Sequence, residues 1–295
     1  MAALNEVRDR IKSVKSTQQI TKAMKLVSAS KLKKATGRIT TMRPYSDKLQ
    51  DVLSNIMQST DLNELQMGYN EVRPVEKVLV VVMSSDRGLC GGFNSNLIKS
   101  AKSLIFQKYP HLHKDQKITV LPIGKKSMEA FGRLGMKCDN TFWELFYNLT
   151  FENASKAATF LMESYIAKEY DAIEVVYAKF KNAAVQEFTQ ETFLPIAKKQ
   201  ETVKATQSNA DYIFEPSKED LLLELIPKIL KTTFFRYCLD NNASEHGARM
   251  VAMDAATNNA GDLIKKLEIE YNKARQAAIT NQIMEIVGGA AALDA

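Results

Sequence analysis

Ala243-Ser244-Glu245-His246-Gly247-Ala248-Arg249-Met250-Val251-Ala252-Met253-Asp254-Ala255-Ala256-Thr257-Asn258-Asn259-Ala260 opens the stretch that decides the fold. From Ala243 a seam runs through His246, Met250, Met253, Thr257, Ala260, Ile264, Leu267, Tyr271, Ala274 and Ala278. The spacings alternate between three and four without a break, which is the period of a coiled-coil seam. The helical pattern reaches back to about Glu219, with Pro227 near the start, where proline is best tolerated. Gly261 is a mild interruption. At 1.5 Å per residue, roughly 65 residues give a helix of roughly 100 Å.

The other end of the chain matches it. Residues 3–57 hold no glycine before Gly37 and no proline before Pro44. Leu4, Val7, Ile11 and Val14 set a seam that continues through the polar Gln18, Thr21, Lys25 and Ser28. It returns to apolar type at Leu32, Ala35, Ile39 and Met42. Helices of this length bury a seam or are not stable in water. Alanines on the C-terminal seam allow close approach. The two terminal helices are therefore expected to pack on each other, antiparallel, because the intervening chain must return.

The middle follows another period. Val78-Leu79-Val80-Val81-Val82-Met83 is a continuous apolar run, the mark of a strand covered on both faces. A glycine-rich turn and a helix over about Asn94–Tyr109 follow. Further expected elements are a strand over Ile118–Ile123, a short helix over Lys125–Arg133 and a helix over 153–168. Strands Ala172–Phe180 and Val185–Pro195 read as a hairpin. Alternating strands and helices predict an α/β domain with a mostly parallel sheet. The expected division is a coiled-coil helix over 1–60, the α/β domain over 75–195, a polar loop over 196–218, and a second coiled-coil helix over 219–295 that packs on 1–60.

Composition narrows the function. The chain has 295 residues, 45% hydrophobic and 25% charged, which is too apolar for disorder. Its longest apolar runs fall far short of the roughly 20 residues of a membrane span. Met1-Ala2-Ala3-Leu4-Asn5-Glu6 lacks the features of a secretory signal or transit peptide. Cys90, Cys138 and Cys238 are too dispersed for a metal site or disulfide framework, so reduced thiols are expected. The net charge is +6, yet residues 1–43 hold eleven Lys or Arg against two acids. That segment calls for an acidic partner, such as nucleic acid, a membrane surface or an acidic protein face. A solvated helix face is the plainer alternative.

Catalytic chemistry is hard to assemble. Ser84-Ser85-Asp86-Arg87-Gly88-Leu89-Cys90-Gly91-Gly92-Phe93-Asn94 lies between a strand and a helix, where phosphate loops sit. Its glycine spacing matches neither nucleotide fingerprint. Gly124-Lys125-Lys126-Ser127 resembles the end of a Walker loop, but Thr119 stands where the first glycine belongs. A structural turn is the expectation for both. His111 and His113 follow Pro110 in a polar loop with no third metal ligand near in sequence, and His246 falls on the seam. No catalytic residue, cofactor or metal is expected.

The C-terminal tail says more. After Arg275 the only charged residues are Glu285 and Asp294, and Ile286-Val287-Gly288-Gly289-Ala290-Ala291-Ala292-Leu293 runs between them. A small apolar helix tip left in water invites aggregation, so it calls for an apolar sleeve in a partner. Arg275 and Gln276 lie just off the seam at Ala274 and are expected to be exposed.

Several of these stretches resemble the gamma subunit of F-type ATP synthases. They are Ile11-Lys12-Ser13-Val14-Lys15-Ser16-Thr17-Gln18-Gln19-Ile20-Thr21-Lys22-Ala23-Met24-Lys25-Leu26-Val27-Ser28-Ala29, Ser85 to Asn94, Ser244 to Ala260, Tyr271 to Thr280, and Glu285 to Ala290. The resemblance covers the whole length in order. It implies a central rotor shaft, one copy per complex, inside a hexameric ring of alpha and beta subunits. The α/β domain would sit at the base, against the epsilon subunit and the membrane ring of proton-carrying subunits. Catalysis would belong to the beta subunits.

The resemblance also implies contacts. Arg275 and Gln276 match a polar pair that meets a catch loop of one beta subunit. Met24, flanked by Lys22 and Lys25, matches the place where the shaft passes the acidic lever segments. Tyr212 and Glu215, within Asp211-Tyr212-Ile213-Phe214-Glu215-Pro216, match the foot near the membrane ring. Gln282 stands where the family usually has glutamate, which puts an ionic contact at the tip in doubt. No two cysteines are close, so the thiol regulation of the plastid version is not expected. The implied setting is the cytoplasmic face of a bacterial plasma membrane, with the matrix face of the mitochondrial inner membrane as the alternative. The rival reading is a basic coiled-coil protein that binds nucleic acid, for which the apolar tip has no use.

Overall fold

A computed structural model describes residues 2–59, 68–196 and 218–293. The elements in order are α1 (Ala2–Ser59), β1 (Val78–Met83), α2 (Phe93–Ser103), a π-helical turn (Leu104–Lys108), α3 (Pro110–Lys114), β2 (Ile118–Ile123), α4 (Lys125–Arg133) and β3 (Lys137–Cys138). They continue with a 3-10 turn (Leu145–Asn148), α5 (Phe151–Ile166), β4 (Ala172–Phe180), β5 (Gln186–Leu194) and α6 (Lys218–Leu293). Contacts group them into two compact units, Met1–Ala29 with Arg249–Ala295, and Ser30–Ala248.

In the first unit the ends of α1 and α6 pair. Lys15 meets Glu268, the Thr21 and Thr257 hydroxyls lie 2.8 Å apart, and Lys25 meets Asp254. One number rises as the other falls, so the helices are antiparallel. The seam residues of α1, from Leu4 through Ser28, are buried or half-buried at every three-four step, and the residues between them, Met24 apart, are exposed. Met253, Ala260, Ile264 and Leu267 form the buried side of α6. The polar break in the α1 seam has partners. Gln18 donates through Nε2 to the Thr257 carbonyl at 3.3 Å. Gly261 leaves room for that amide, since a Cβ there would lie 3.0 Å from it.

The second unit is built on a five-stranded sheet of order β3-β2-β1-β4-β5. β1 pairs parallel with β2 and β4, β2 pairs parallel with β3, and β4 pairs antiparallel with β5. Alternate residues of β1 feed two cores. Val78, Val80 and Val82 pack with Phe93, Leu97 and Phe131, while Leu79, Val81 and Met83 pack with Leu161, Tyr165 and Phe234. Coverage on both faces explains why β1 and β2 are apolar without alternation. The edge strand β5 carries Glu187, Thr189 and Glu191, polar residues that discourage edge-to-edge pairing.

Three local expectations need correction, and one short strand is not anticipated by the sequence. The helix expected over Asn94–Tyr109 is α-helical only to Ser103 and then widens into a π turn. Leu104 and Ile105 are both buried there, and Lys108 reaches Glu174 at 2.6 Å. Residues 110–114 form a short helix rather than a loop, with Pro110 in its first turn, where its missing N–H costs nothing. The two-residue strand β3 has no period of its own and exists through its pairing with β2. Pro227 falls in the early part of α6, as expected, but past the first turn, where a proline is best tolerated. The helix continues because Ile226, Ile229 and Leu230 are buried around it.

Two buried polar features position the hairpin. Glu174, almost fully buried, accepts from Lys108 Nζ, from the Tyr109 hydroxyl at 2.8 Å and from Thr192 Oγ1 at 3.1 Å. Burial, and secondarily the Glu174 charge, raise the Tyr109 pKa above the usual phenol value. A β-bulge lies beside Glu174 at Ile173. On the other face, Glu191 accepts from the Tyr177 hydroxyl at 2.9 Å and the Tyr237 hydroxyl at 2.6 Å, the two rings being stacked.

Candidate functional site

The residues marked as contacts fall on two separate stretches of the first unit. Lys22 is exposed, and Met24 and Lys25 are half-buried on α1. Lys25 Nζ lies 2.5 Å from Asp254 Oδ1, with the two side chains 39% and 48% exposed. Arg275 and Gln276 are exposed on α6, and Thr280 Oγ1 donates to the Gln276 carbonyl. Asp254 faces Lys25 and lies 21 residues before Arg275, so along the axis the two patches are roughly 30 Å apart. Tyr212 and Glu215 lie outside the described residues.

Lys25 and Lys15 are therefore partly spent on the protein itself. Of their acids, Asp254 lies within the Ser244 to Ala260 stretch but is not singled out there, and Glu268 lies in none of the stretches. The signal for them is positional: each acid sits one residue past a seam position, Met253 and Leu267, opposite a lysine on or beside the α1 seam. Lys22 has no ion pair among the described residues. Toward the end of α6, Ile279, Ile283, Met284, Ile286 and Val287 are all exposed large apolar residues. They form the apolar surface that the tail composition anticipates, and they begin one turn past Arg275 and extend to about three turns beyond it.

The phosphate-like turns are filled from within. At the start of α4, Lys125 N–H donates to Asp86 Oδ1 at 3.1 Å, Lys126 N–H to the Ser85 carbonyl at 3.1 Å, and Ser127 N–H to Ser84 Oγ at 2.7 Å. These are the amides that a bound phosphate would need. Gly124 adopts φ 98°, and a Cβ there would lie 2.3 Å from the Ser84 carbonyl oxygen, so glycine is required by close packing. In the neighbouring turn, Ser85 N–H donates to Asn94 Oδ1 at 3.0 Å, and Asn94 Nδ2 donates to Ser85 Oγ at 2.8 Å and to Cys90 Sγ at 3.2 Å. The turn's polar residues thus serve its own closure.

The remaining candidates pack as structural residues. His113 sets its ring edge-on to Phe106, with centroids 4.7 Å apart. His246 is buried in α6. The cysteines are free, and burial raises the thiol pKa of Cys138 and of Cys238, which disfavours the reactive thiolate. Among the described residues no group of three His, Cys, Asp or Glu could hold a metal, and no helix is long and apolar enough to cross a membrane.

Comparison with known proteins agrees with this arrangement. A family model described as ATP synthase matches residues 3–293. The ATP synthase gamma chain of Cytophaga hutchinsonii is 49% identical over 295 residues, covering 100% of both chains. That of Flavobacterium psychrophilum is 49% identical over 293 residues, covering 99% of each. Among solved structures, a chain of the Euglena gracilis mitochondrial ATP synthase (OSCP/F1/c-ring) superposes with a TM-score of 0.65 at 20% identity. It covers 99% of this chain and 95% of that one. A chain of the Tetrahymena thermophila mitochondrial ATP synthase central stalk and c-ring gives 0.57 at 23% identity, covering 80% and 99%. The structural likenesses speak for the fold and the sequence relatives for the family: the chain belongs to the ATP synthase gamma-chain family.

Proposed function

We propose that this chain is the central rotor of an F-type ATP synthase, one copy per complex. It would turn with a membrane ring of proton-carrying subunits and couple that rotation to ATP synthesis or hydrolysis in a hexamer of alpha and beta subunits. The observation that carries the reading is identity of 49% with gamma chains along the entire length. The apolar exposed end of α6 supports it, as a surface suited to an apolar sleeve.

The mechanism is differential binding. A rotor that contacts the three beta subunits differently at each angle stabilises a different conformation in each, and every 1.4 kcal/mol of difference shifts a nucleotide affinity about tenfold. In this reading Lys22, Met24 and Lys25 face the acidic levers of the beta subunits, and Arg275 with Gln276 meets a catch loop. Tyr212 and Glu215 belong to the foot near the membrane ring, and the α/β domain rests against the epsilon subunit and that ring. The chain has no catalytic role of its own. The complex stands on the cytoplasmic face of a bacterial plasma membrane. The nucleic-acid reading gains no support, since Lys15 and Lys25 of the basic helix are engaged with acids of α6.

The test is co-expression with the alpha and beta subunits from the same source. A soluble complex with one copy of this chain, whose ATP hydrolysis drives proton uptake into vesicles once the membrane subunits are restored, is the expected outcome. A chain that remains apart from those subunits overturns the reading.

A further inference from the structure

β4 outruns its parallel neighbour. β1 pairs with it only as far as Val82 and Val176, while β4 continues to Phe180. Main-chain groups past that point are taken up by helices. Ala178 N–H donates to Asn241 Oδ1 at 3.1 Å, and the Ala178 carbonyl accepts from Ser244 Oγ at 2.9 Å. The Phe180 carbonyl accepts from Arg43 Nη2 of α1 at 3.0 Å, and the same nitrogen reaches Asp240 Oδ1 of α6 at 3.2 Å. Asn241 and Ser244 are fully buried on α6, on one face and about a turn apart. Together they clasp both polar main-chain groups of a single strand residue.

Apolar packing of α6 on the sheet, through Ile226, Leu230 and Phe234, holds the two close but is non-directional. Hydrogen bonds weaken steeply off axis, so the clasp also fixes the rotation of α6 about its own axis relative to β4. Asn241 supplies direction more than stability. Its Nδ2 is buried without a hydrogen-bond partner, a cost that offsets the bond made by Oδ1. Turning the amide over would set Nδ2 against the Ala178 N–H, donor to donor, so a single orientation is bonded. From this joint α6 continues as one helix to Leu293.

We propose that Asn241 and Ser244 are positioning residues for coupling: by holding α6 to Ala178 they set the torsional stiffness between the α/β sheet and the helix that forms the shaft. The inference rests on the rotor reading and adds to it the place where the sheet grips that helix.

The test uses the full chain in complex with alpha and beta subunits, immobilised through the hexamer. A bead is tethered through Asp115→Cys, in the exposed turn after α3. ATP-driven turning of the bead in the otherwise unaltered complex tests the rotor reading by itself. With rotation then stalled, Asn241→Leu and Ser244→Ala should each widen the variance of the bead angle at least roughly twofold. Ser244→Thr keeps the hydroxyl and should retain the parental variance. Ile226→Val truncates the core on the same helix, reports lost stability alone, and should also leave the variance unchanged. Either loss variant, once assembled, overturns the proposal if its variance is parental. So does equal widening in Ile226→Val or Ser244→Thr, and so does failure of Ser244→Ala to assemble, which would make the hydroxyl a folding requirement. If Asn241→Leu does not assemble, Ser244→Ala decides alone. A bead that does not turn in the parent complex overturns the rotor reading and this inference with it.

Discussion

Lys25 and Asp254 form an ion pair across the seam between α1 and α6, at 2.5 Å. Both side chains stay substantially solvated, so the pair contributes no more than about 0.2–1 kcal/mol. Its larger effect is to spend a cation that the basic excess of α1 would otherwise offer to a partner. Lys22, one turn earlier and unpaired among the described residues, keeps its full charge for outside contacts. Lys22→Ala should therefore weaken the salt dependence of binding to the alpha and beta subunits more than Lys25→Ala does. Dissociation constants at 50 and 300 mM salt check this, and a larger change for Lys25→Ala contradicts it.

Arg275 and Gln276 stand exposed roughly 30 Å from the Lys22 patch, so their effects should be separable from it. Replacing both with Leu should lower ATP-driven proton pumping more than it lowers assembly, since a directed hydrogen bond from the charged Arg275 contributes about 1.5–3 kcal/mol and one from the neutral Gln276 amide about 0.5–1.5 kcal/mol. Met24→Lys should also disturb coupling, because a half-buried apolar contact becomes a cation. Hydrolysis and pumping measured side by side in vesicles decide both. An unchanged ratio removes these residues from the coupling surface.

Two helical glycines should respond oppositely to alanine. Gly37 meets nothing within 4 Å, so Gly37→Ala should stabilise by about 0.5–1 kcal/mol through helix propensity. At Gly247 a Cβ would lie 3.1 Å from both the Cα and the carbonyl oxygen of Ala183, in the turn between β4 and β5. That turn is held by Asn182, whose Oδ1 accepts from the amides of Ala184 and Val185. Gly247→Ala should cost about 1–3 kcal/mol in overpacking, which exceeds the propensity gain. Thermal midpoints of the purified complex should rise for the first variant and fall for the second.

Asp240 is buried, and desolvation raises its carboxyl above the usual value, with Arg43 pulling in the opposite sense. A folded pKa above the unfolded one means the carboxyl favours folding most at low pH. That advantage is lost as pH rises through the folded value. Asp240→Asn retains an acceptor for Arg43 Nη2 at 3.2 Å, and Arg43 is itself 44% exposed and hydrated. The variant should therefore be at least as stable as the parent at pH 7 and lose its advantage toward pH 4. Hydrogen exchange of the α6 amides across that range measures it, and a variant less stable at pH 7 refutes the argument.

The two seams and the parallel strands are legible in sequence because burial on one stripe, or on both faces, is written as a local period. Met253, Ala260 and Leu267 carry one such period, and Val78 to Met83 the other. Pairings between distant residues are not written that way. Nothing near Lys125 announces that Asp86 and Ser84 will occupy the amides of α4. Nothing near Glu174 announces Lys108 and Tyr109, whose approach depends on a π turn that simple helical periodicity does not distinguish. Ile226 to Tyr237 read as one more stretch of helix, yet they cover the sheet, because an apolar helix face does not name what it packs against. The marked contacts Lys22, Arg275 and Gln276 are legible only through family likeness, since an exposed cation or amide has the same local pattern whether or not a partner meets it.

The hydrogen-bonded band at Gln18, Thr21, Thr257 and Gly261 acts as a key in the paired helices. Sliding one helix by a heptad, about 10 Å, would take the Gln18 amide away from Gly261 and the Thr257 carbonyl, and would set Thr257 against Val14 in one direction and Ser28 in the other. Uniform seams of alanine and leucine forgive such slippage. This one fixes a single axial alignment, so a twisting load applied at one end is transmitted rather than dissipated as creep between the strands of the pair.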